Sequence, residues 1–134
     1  RVDPNLTYSQ FERLYQIWIR RSVEKKIADV VLVARQTQGN LVGMATVSVR
    51  DGVGNIGLIA VHKEQRGREV GSSLLRAAED WMRAKNAHRT TMVTQLSNRA
   101  AVRMCERCGY AIESVQDVYH FWPLSSAVRL RVAA

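Results

Sequence analysis

Cysteine is scarce, long apolar runs are missing and acids are outnumbered. Two cysteines, Cys105 and Cys108, stand among 134 residues. That is too few, and too close together, for the disulfide framework of a small secreted domain, and free thiols fit the cytoplasm. The longest apolar stretches, 30–34 and 56–61, fall far short of the ~18–20 residues that cross a bilayer, and no leader pattern is present. The expectation is a cytoplasmic protein with no membrane partner. Twelve acids face twenty Lys and Arg, a net charge of +8, so an anionic partner such as phosphate, a nucleotide or a nucleic acid is physically reasonable. The basic residues are scattered, often beside acids as in Glu12–Arg13 and Glu24–Lys25, which equally describes a solvated surface. No nucleic-acid recognition motif accompanies the charge, so nucleic acid is a disfavoured partner.

What is present suits one globular domain: 46% apolar and 24% charged residues, with no repeat and no low-complexity segment. Thr7 with Gln10 forms a capping box, and Phe11, Leu14, Tyr15, Trp18 and Ile19 follow at helical spacing, predicting a helix over 8–26. Residues 30–35 are a β-rich run. After Gly39-Asn40, Leu41, Ala45, Val47 and Val49 share one face of a strand that ends at Arg50, and Asp51-Gly52 is a hairpin signal. A third strand over 54–62 completes an antiparallel meander. The period then changes to 3.6, with Val70, Leu74, Leu75, Ala78, Trp81 and Met82 forming the stripe of a helix over 70–85. A strand at 90–95 follows. The next helix is expected over 98–108, with Ser97 as N-cap and Gly109 as stop. Two short strands, 110–114 and 117–122, close the domain, placed at 1–122, and 123–134 reads as a tail with little obligation to order.

The segment Val61-His62-Lys63-Glu64-Gln65-Arg66-Gly67-Arg68-Glu69-Val70-Gly71-Ser72 joins a strand to a helix through a glycine-bearing loop. The unpaired first-turn amides and the helix dipole suit a pyrophosphate, and Lys63, Arg66 and Arg68 can add charge-assisted bonds. A plain strand-to-helix turn would look similar. Cys105-x-x-Cys108 matches a zinc or redox half-motif, but these cysteines end a helix and zinc would need two further ligands from His62, His88 and His120, so no metal is expected.

Ala60-Val61-His62-x-x-x-Arg66-Gly67-x-x-x-Gly71-x-x-Leu74-Leu75 resembles motif A of the GCN5-related N-acetyltransferases, the GNAT superfamily, and Asn98-x-x-Ala101-x-x-x-Cys105-Glu106-x-x-Gly109-Tyr110 resembles its motif B. The similarity covers roughly 8–122. Leu14-Tyr15-x-x-Trp18-Ile19, Ile56-Gly57-Leu58-Ile59-Ala60, Val93-Thr94-Gln95-x-x-Asn98 and Tyr119-His120-Phe121-Trp122 are similar to the dTDP-fucosamine acetyltransferase branch. The resemblance implies an α+β fold, mixed α/β, with a splayed central sheet flanked by helices. It implies acetyl-CoA as cosubstrate and a small-molecule amine, such as a nucleotide-linked amino sugar, as acceptor. The family's opening strand and helix are not visible before Thr7, and the chain begins with Arg1, so missing N-terminal elements are expected. A homodimer is also allowed.

Carried onto this chain, the resemblance implies that backbone groups of Leu58, Ile59, Ala60 and Val61 pair with the pantetheine arm. Amides of Arg66, Gly67, Arg68, Glu69, Val70, Gly71 and Ser72 would hold the pyrophosphate, Asn98 would approach the cofactor, and amides near Ala60 and Val61 would meet the oxyanion. Two departures stand out. Glu69 occupies a family glycine position, where a carboxylate repels pyrophosphate. Cys105 occupies the position of the family's tyrosine, the general acid for the CoA thiolate; a thiol is shorter by several Å and also reads as a small core residue. Tyr15, Tyr110 and Tyr119 are possible substitutes, each also readable as a packed aromatic. His62 could act through water as general base, or simply pack beside the cofactor, and His120 could line the acceptor cleft. The candidate catalytic set is therefore Cys105, His62 and Tyr119. The competing reading is a non-catalytic GNAT-like module that binds CoA or a partner protein.

Overall fold

A computed structural model describes residues 5–119 and 121; the expected tail at 123–134, His120 and Trp122 lie outside them. Helix α1, Tyr8–Val23, opens on the expected box: Gln10 N donates to Thr7 Oγ1 at 3.3 Å and Thr7 N donates to Gln10 Oε1 at 2.9 Å. It stops at Val23, short of the expected 26. Lys25 takes a left-handed φ of 57°, and the amides of Lys25 and Lys26 turn back to the carbonyls of Ser22 and Arg21, the bonding of a Schellman cap without its glycine. The buried stripe is also narrower than predicted, since Phe11, Trp18 and Ser22 turn inward while Leu14 and Ile19 are exposed.

Strands β1 (Val30–Arg35), β2 (Leu41–Arg50) and β3 (Val53–Val61) form the predicted meander, in the order β1-β2-β3. Asp51 and Gly52 both have positive φ, 50° and 75°, which is a type I′ turn matched to strand twist. Helix α2, Val70–Ala84, crosses over to β4, Arg89–Met92, which pairs parallel to β3. The α2 stripe buries Leu75, Ala78 and Met82 against Val47 and Ile56, the centre of the core. Gly54 is required there: a Cβ would lie 2.2 Å from Met82 Sδ.

Helix α3, Arg99–Arg107, is capped by Asn98 and not by Ser97, because the Asn98 carbonyl oxygen accepts from Ala101 N at 3.3 Å. Gly109 ends it as expected, at φ 90°. Strand β4 stops at Met92, and the closing strands at 110–114 and 117–122 are not formed among the described residues. Tyr110 packs on the core and Arg89 pairs with Glu113. Beyond that, Val115, Val118 and Tyr119 are exposed on a backbone that no neighbouring strand pairs with. The result is a mixed α+β fold, a four-stranded sheet flanked by helices.

Candidate functional site

Strands β3 and β4 share only four pairs, from Val53–Arg89 to Ile56–Met92. β3 then runs on to Val61 paired only with β2, so the sheet opens into a gap on its β4 edge beyond Ile56. Alternation decides which backbone groups face that gap. His62 N donates to the Val42 carbonyl at 2.8 Å and Leu58 N to Thr46 Oγ1 at 2.9 Å, so the amides of 58, 60 and 62 turn toward β2. Those of Ile59 and Val61 turn into the gap. The expected set 58–61 thus divides: Ile59 and Val61 turn their backbone groups into the gap, whereas the Leu58 and Ala60 amides belong to the sheet.

β3 leads into the loop through a short 3-10 turn, Lys63–Gln65. The expected Arg66 amide is not free, since it donates to the Lys63 carbonyl at 3.4 Å and closes that turn. Gly67 takes φ 75°, and among the described residues no backbone acceptor engages the amides of residues 67–69. α2 then starts, with Ser73 N bonded to the Glu69 carbonyl and the amides of Val70, Gly71 and Ser72 left without intrahelical partners. Lys63, Arg66 and Arg68 are exposed around this cluster. These amides and basic side chains lie together where β3 leads into α2. Gly71 has a packing duty as well, since a Cβ there would sit 2.7 Å from Met104 Sδ of α3. Glu69, the N-cap residue, is in the left-handed region at φ 60° and ψ 6°, and its side chain caps nothing.

The other candidates are less well gathered. Cys105 is 8% exposed on the inner face of α3, and burial pushes its thiol up from the ordinary value. Asn98 spends its carbonyl oxygen on its own helix. His62 is exposed at the exit of β3, and Tyr119 is 89% exposed in the irregular segment, away from any element that would fix it. Tyr15 lies on α1 between Phe11, at 4.8 Å between ring centroids, and Trp18, at 6.1 Å. The Tyr110 hydroxyl is buried with no hydrogen-bond partner among the described residues, and burial pushes its pKa up to about 12; Thr90 and Glu79 lie beside it without bonding geometry. It lines a cleft of about 410 Å³ with Glu79, Arg89 and Cys108, at the far end of β4 from the gap. No group of residues suited to a metal occurs among the described residues, and no described helix is long and apolar enough to cross a membrane.

One participant escaped the sequence reading. Thr46 is 1% exposed and holds the Leu58 amide. A threonine in a β-rich run looks like any β-branched strand residue; the only hint was Gly57 inside the next strand, where glycine often marks a bulge.

The acetyltransferase (GNAT) family model matches residues 4–110. The spore coat polysaccharide biosynthesis protein SpsD of Bacillus subtilis (strain 168) is 29% identical over 121 residues, covering 90% of this chain and 41% of that protein. The N-acetyltransferase YobR of the same organism is 32% identical over 72 residues, 54% of this chain and 29% of that protein. The chain thus spans less than half the length of these curated relatives. Among solved structures, the aminoglycoside N-acetyltransferase AAC(6')-Iy in complex with CoA superposes with a TM-score of 0.67 at 20% identity, over 84% of this chain and 91% of that one, a likeness of fold. Since the family model takes in the meander, the loop and helices α1 to α3, the chain belongs to the acetyltransferase (GNAT) family.

Proposed function

We propose that the chain is an acetyl-CoA-dependent N-acetyltransferase that passes acetyl directly to a primary amine of a small molecule. A nucleotide-linked amino sugar, the acceptor of the dTDP-fucosamine acetyltransferase branch, is the favoured class; the likeness to a polysaccharide biosynthesis protein supports it. The observation that carries the reading is continuity: the gap beyond Ile56–Met92, with Ile59 and Val61 turned into it, runs straight into the free amides of the loop and the first turn of α2. An extended amide-bearing arm ending in a pyrophosphate matches that sequence of surfaces. Such a ligand is at home in the cytoplasm.

Acetyl-CoA supplies an activated thioester, which an uncharged amine attacks. The chain's own residues bind and orient it. Ile59 and Val61 pair with the arm, amides of Gly67 to Ser72 take the phosphates, and Lys63, Arg66 and Arg68 add charge. A gap-facing amide of β3 stabilises the oxygen that gains charge during attack, as in other acyl transfers. His62, exposed at the strand exit, takes the ammonium proton through water. Cys105 and Tyr119 are the candidates to return a proton to the leaving thiolate. Burial of Cys105 favours a packing role, so the thiolate departs with little help.

The second reading, a CoA-binding module without turnover, is favoured by that same burial together with a carboxylate residue, Glu69, on the left-handed backbone of the loop. Calorimetry and thermal melts with acetyl-CoA, followed by a thiol-release assay over amino sugar nucleotides and free amino sugars, test both. Binding at 100 times Kd should stabilise the fold by about 2.7 kcal/mol. Turnover establishes the enzyme, binding without turnover on any amine supports the module, and no response at millimolar acetyl-CoA overturns both.

A further inference from the structure

The β2–β3 register is regular from Arg50–Val53 to Val47–Ile56 and resumes at Thr46–Leu58, so Gly57 is an extra residue with no partner. This bulge falls one residue after Ile56–Met92, the last pair that β3 makes with β4. Bulges bend a strand and increase its twist, so the opening of the sheet and the bulge are one event. What holds the bulge is a side chain. Thr46 Oγ1 accepts from Leu58 N at 2.9 Å, and a Cβ on Gly57 would lie 3.0 Å from that oxygen. The hydroxyl is therefore packed against Gly57 while bonded to its neighbour, and Thr46 is 1% exposed.

Removing the bulge would slide β3 by one residue from Gly57 onward. Because the strand period is two, Leu58 and Ala60 would then face the gap and Ile59 and Val61 would face β2. Ile59, which packs against the core, would lose its place.

We propose that Thr46 is a positioning residue of the ligand gap: its buried hydroxyl fixes the bulge at Gly57, which sets where the sheet opens and turns the backbone of Ile59 and Val61 toward the ligand. The meaning for cofactor binding rests on the acetyl-CoA reading above; the register role does not.

The test compares Thr46→Val, which keeps the volume and loses the hydroxyl, with Thr46→Ser, which keeps the hydroxyl. Amide hydrogen exchange is read at Leu58, Ile59 and Val61, and CoA affinity by calorimetry. Thr46→Val is expected to speed exchange at Leu58 at least tenfold and to weaken CoA at least tenfold, while Thr46→Ser stays within threefold of the parent in both. A folded Thr46→Val with Leu58 protected and CoA affinity unchanged overturns the proposal. So does equal damage from both variants, which would mean that the packing and not the hydroxyl matters. Should Thr46→Val not fold, Thr46→Ser against Thr46→Ala decides on the same readouts, and equal behaviour overturns the proposal. If the parent chain binds no CoA, the acetyl-CoA reading fails separately, and Leu58 exchange alone supports or overturns the register role.

Discussion

The Arg66 side chain reaches back over the loop to Val61, its Nε donating to the Val61 carbonyl at 3.2 Å. That carbonyl belongs to the peptide whose N–H, on His62, points to β2, so it faces the gap. Arg66 thus covers one of the groups that a bound arm would pair with, and it must swing to meet a phosphate. Arg66→Ala is expected to weaken CoA about tenfold, the scale of a charge-assisted hydrogen bond, while leaving pantetheine, which lacks the pyrophosphate, unchanged or tighter. Equal calorimetric affinities of parent and variant for CoA would show that the guanidinium only seals the strand edge.

Glu69 sits where the backbone prefers glycine. A non-glycine residue at φ 60° costs about 1 kcal/mol, so Glu69→Gly should raise Tm by a few degrees even without ligand. The same variant removes a carboxylate from the loop proposed to hold the phosphates. CoA should therefore bind more tightly at low salt, with a gain that shrinks as ionic strength rises. A lower Tm would contradict the strain, and a salt-independent gain would contradict the electrostatics.

Burial keeps the Cys105 thiol protonated at neutral pH. In the native protein a thiol reagent should modify the half-buried Cys108 first and reach Cys105 only on unfolding. Cys105→Ala is expected to cost about 1 kcal/mol of stability and to keep kcat within a few-fold. A fall of more than ~100-fold in a well-folded variant, with CoA affinity intact, would make this thiol the proton donor.

Acid should act through Asp29. Its carboxylate accepts from Val49 N at 2.8 Å and from the Arg50 guanidinium at 2.7 Å, and both hold its pKa below the ordinary carboxylate value. The contribution is present above the unfolded value and is lost as pH falls through the lower folded one. Thermal melts from pH 6 to pH 2.5 should therefore drop less steeply for Asp29→Asn than for the parent. Parallel curves would remove Asp29 from the acid limb.

Alkali should act through Tyr110. Its phenol ionises near 10 when unfolded and only at about 12 when folded, so its share of stability is complete below pH 10 and is lost as pH rises toward 12. Because the hydroxyl is buried without a partner among the described residues, Tyr110→Phe should be neutral or stabilising by up to about 1 kcal/mol and should flatten that alkaline fall. Destabilisation at pH 7 would reveal a bond to Thr90 or Glu79.

Much of this was readable from sequence where the signal is local. Thr7 with Gln10, the Asp51-Gly52 turn and the α2 stripe each encode their structure within a few residues, and each stands as expected. The loop was legible because glycine, basic residues and a helix start coincide there. Features set by a distant partner were not legible. Thr46 matters only because Leu58 lies across the sheet from it, and β4 is cut short by where β3 bends away. Asn98 and Ser97 are both good caps, and only the backbone path chooses between them. The apolar residues at 110–119 promised strands, but a strand also needs an edge to join.

The single parallel pairing has a further effect, on the order of assembly. Strands β1 to β3 close through short turns, whereas β4 joins β3 only after the chain has passed through the loop and α2, and contacts distant in sequence form late. Four pairs then hold β4 in place. The gap therefore lies on a seam between locally paired strands and one that joins from a distance, and that strand is expected to open before the rest of the sheet. Tightness of the pocket and persistence of the last-folded part become one property, so a ligand that lines this seam also slows the local opening of residues 89–107.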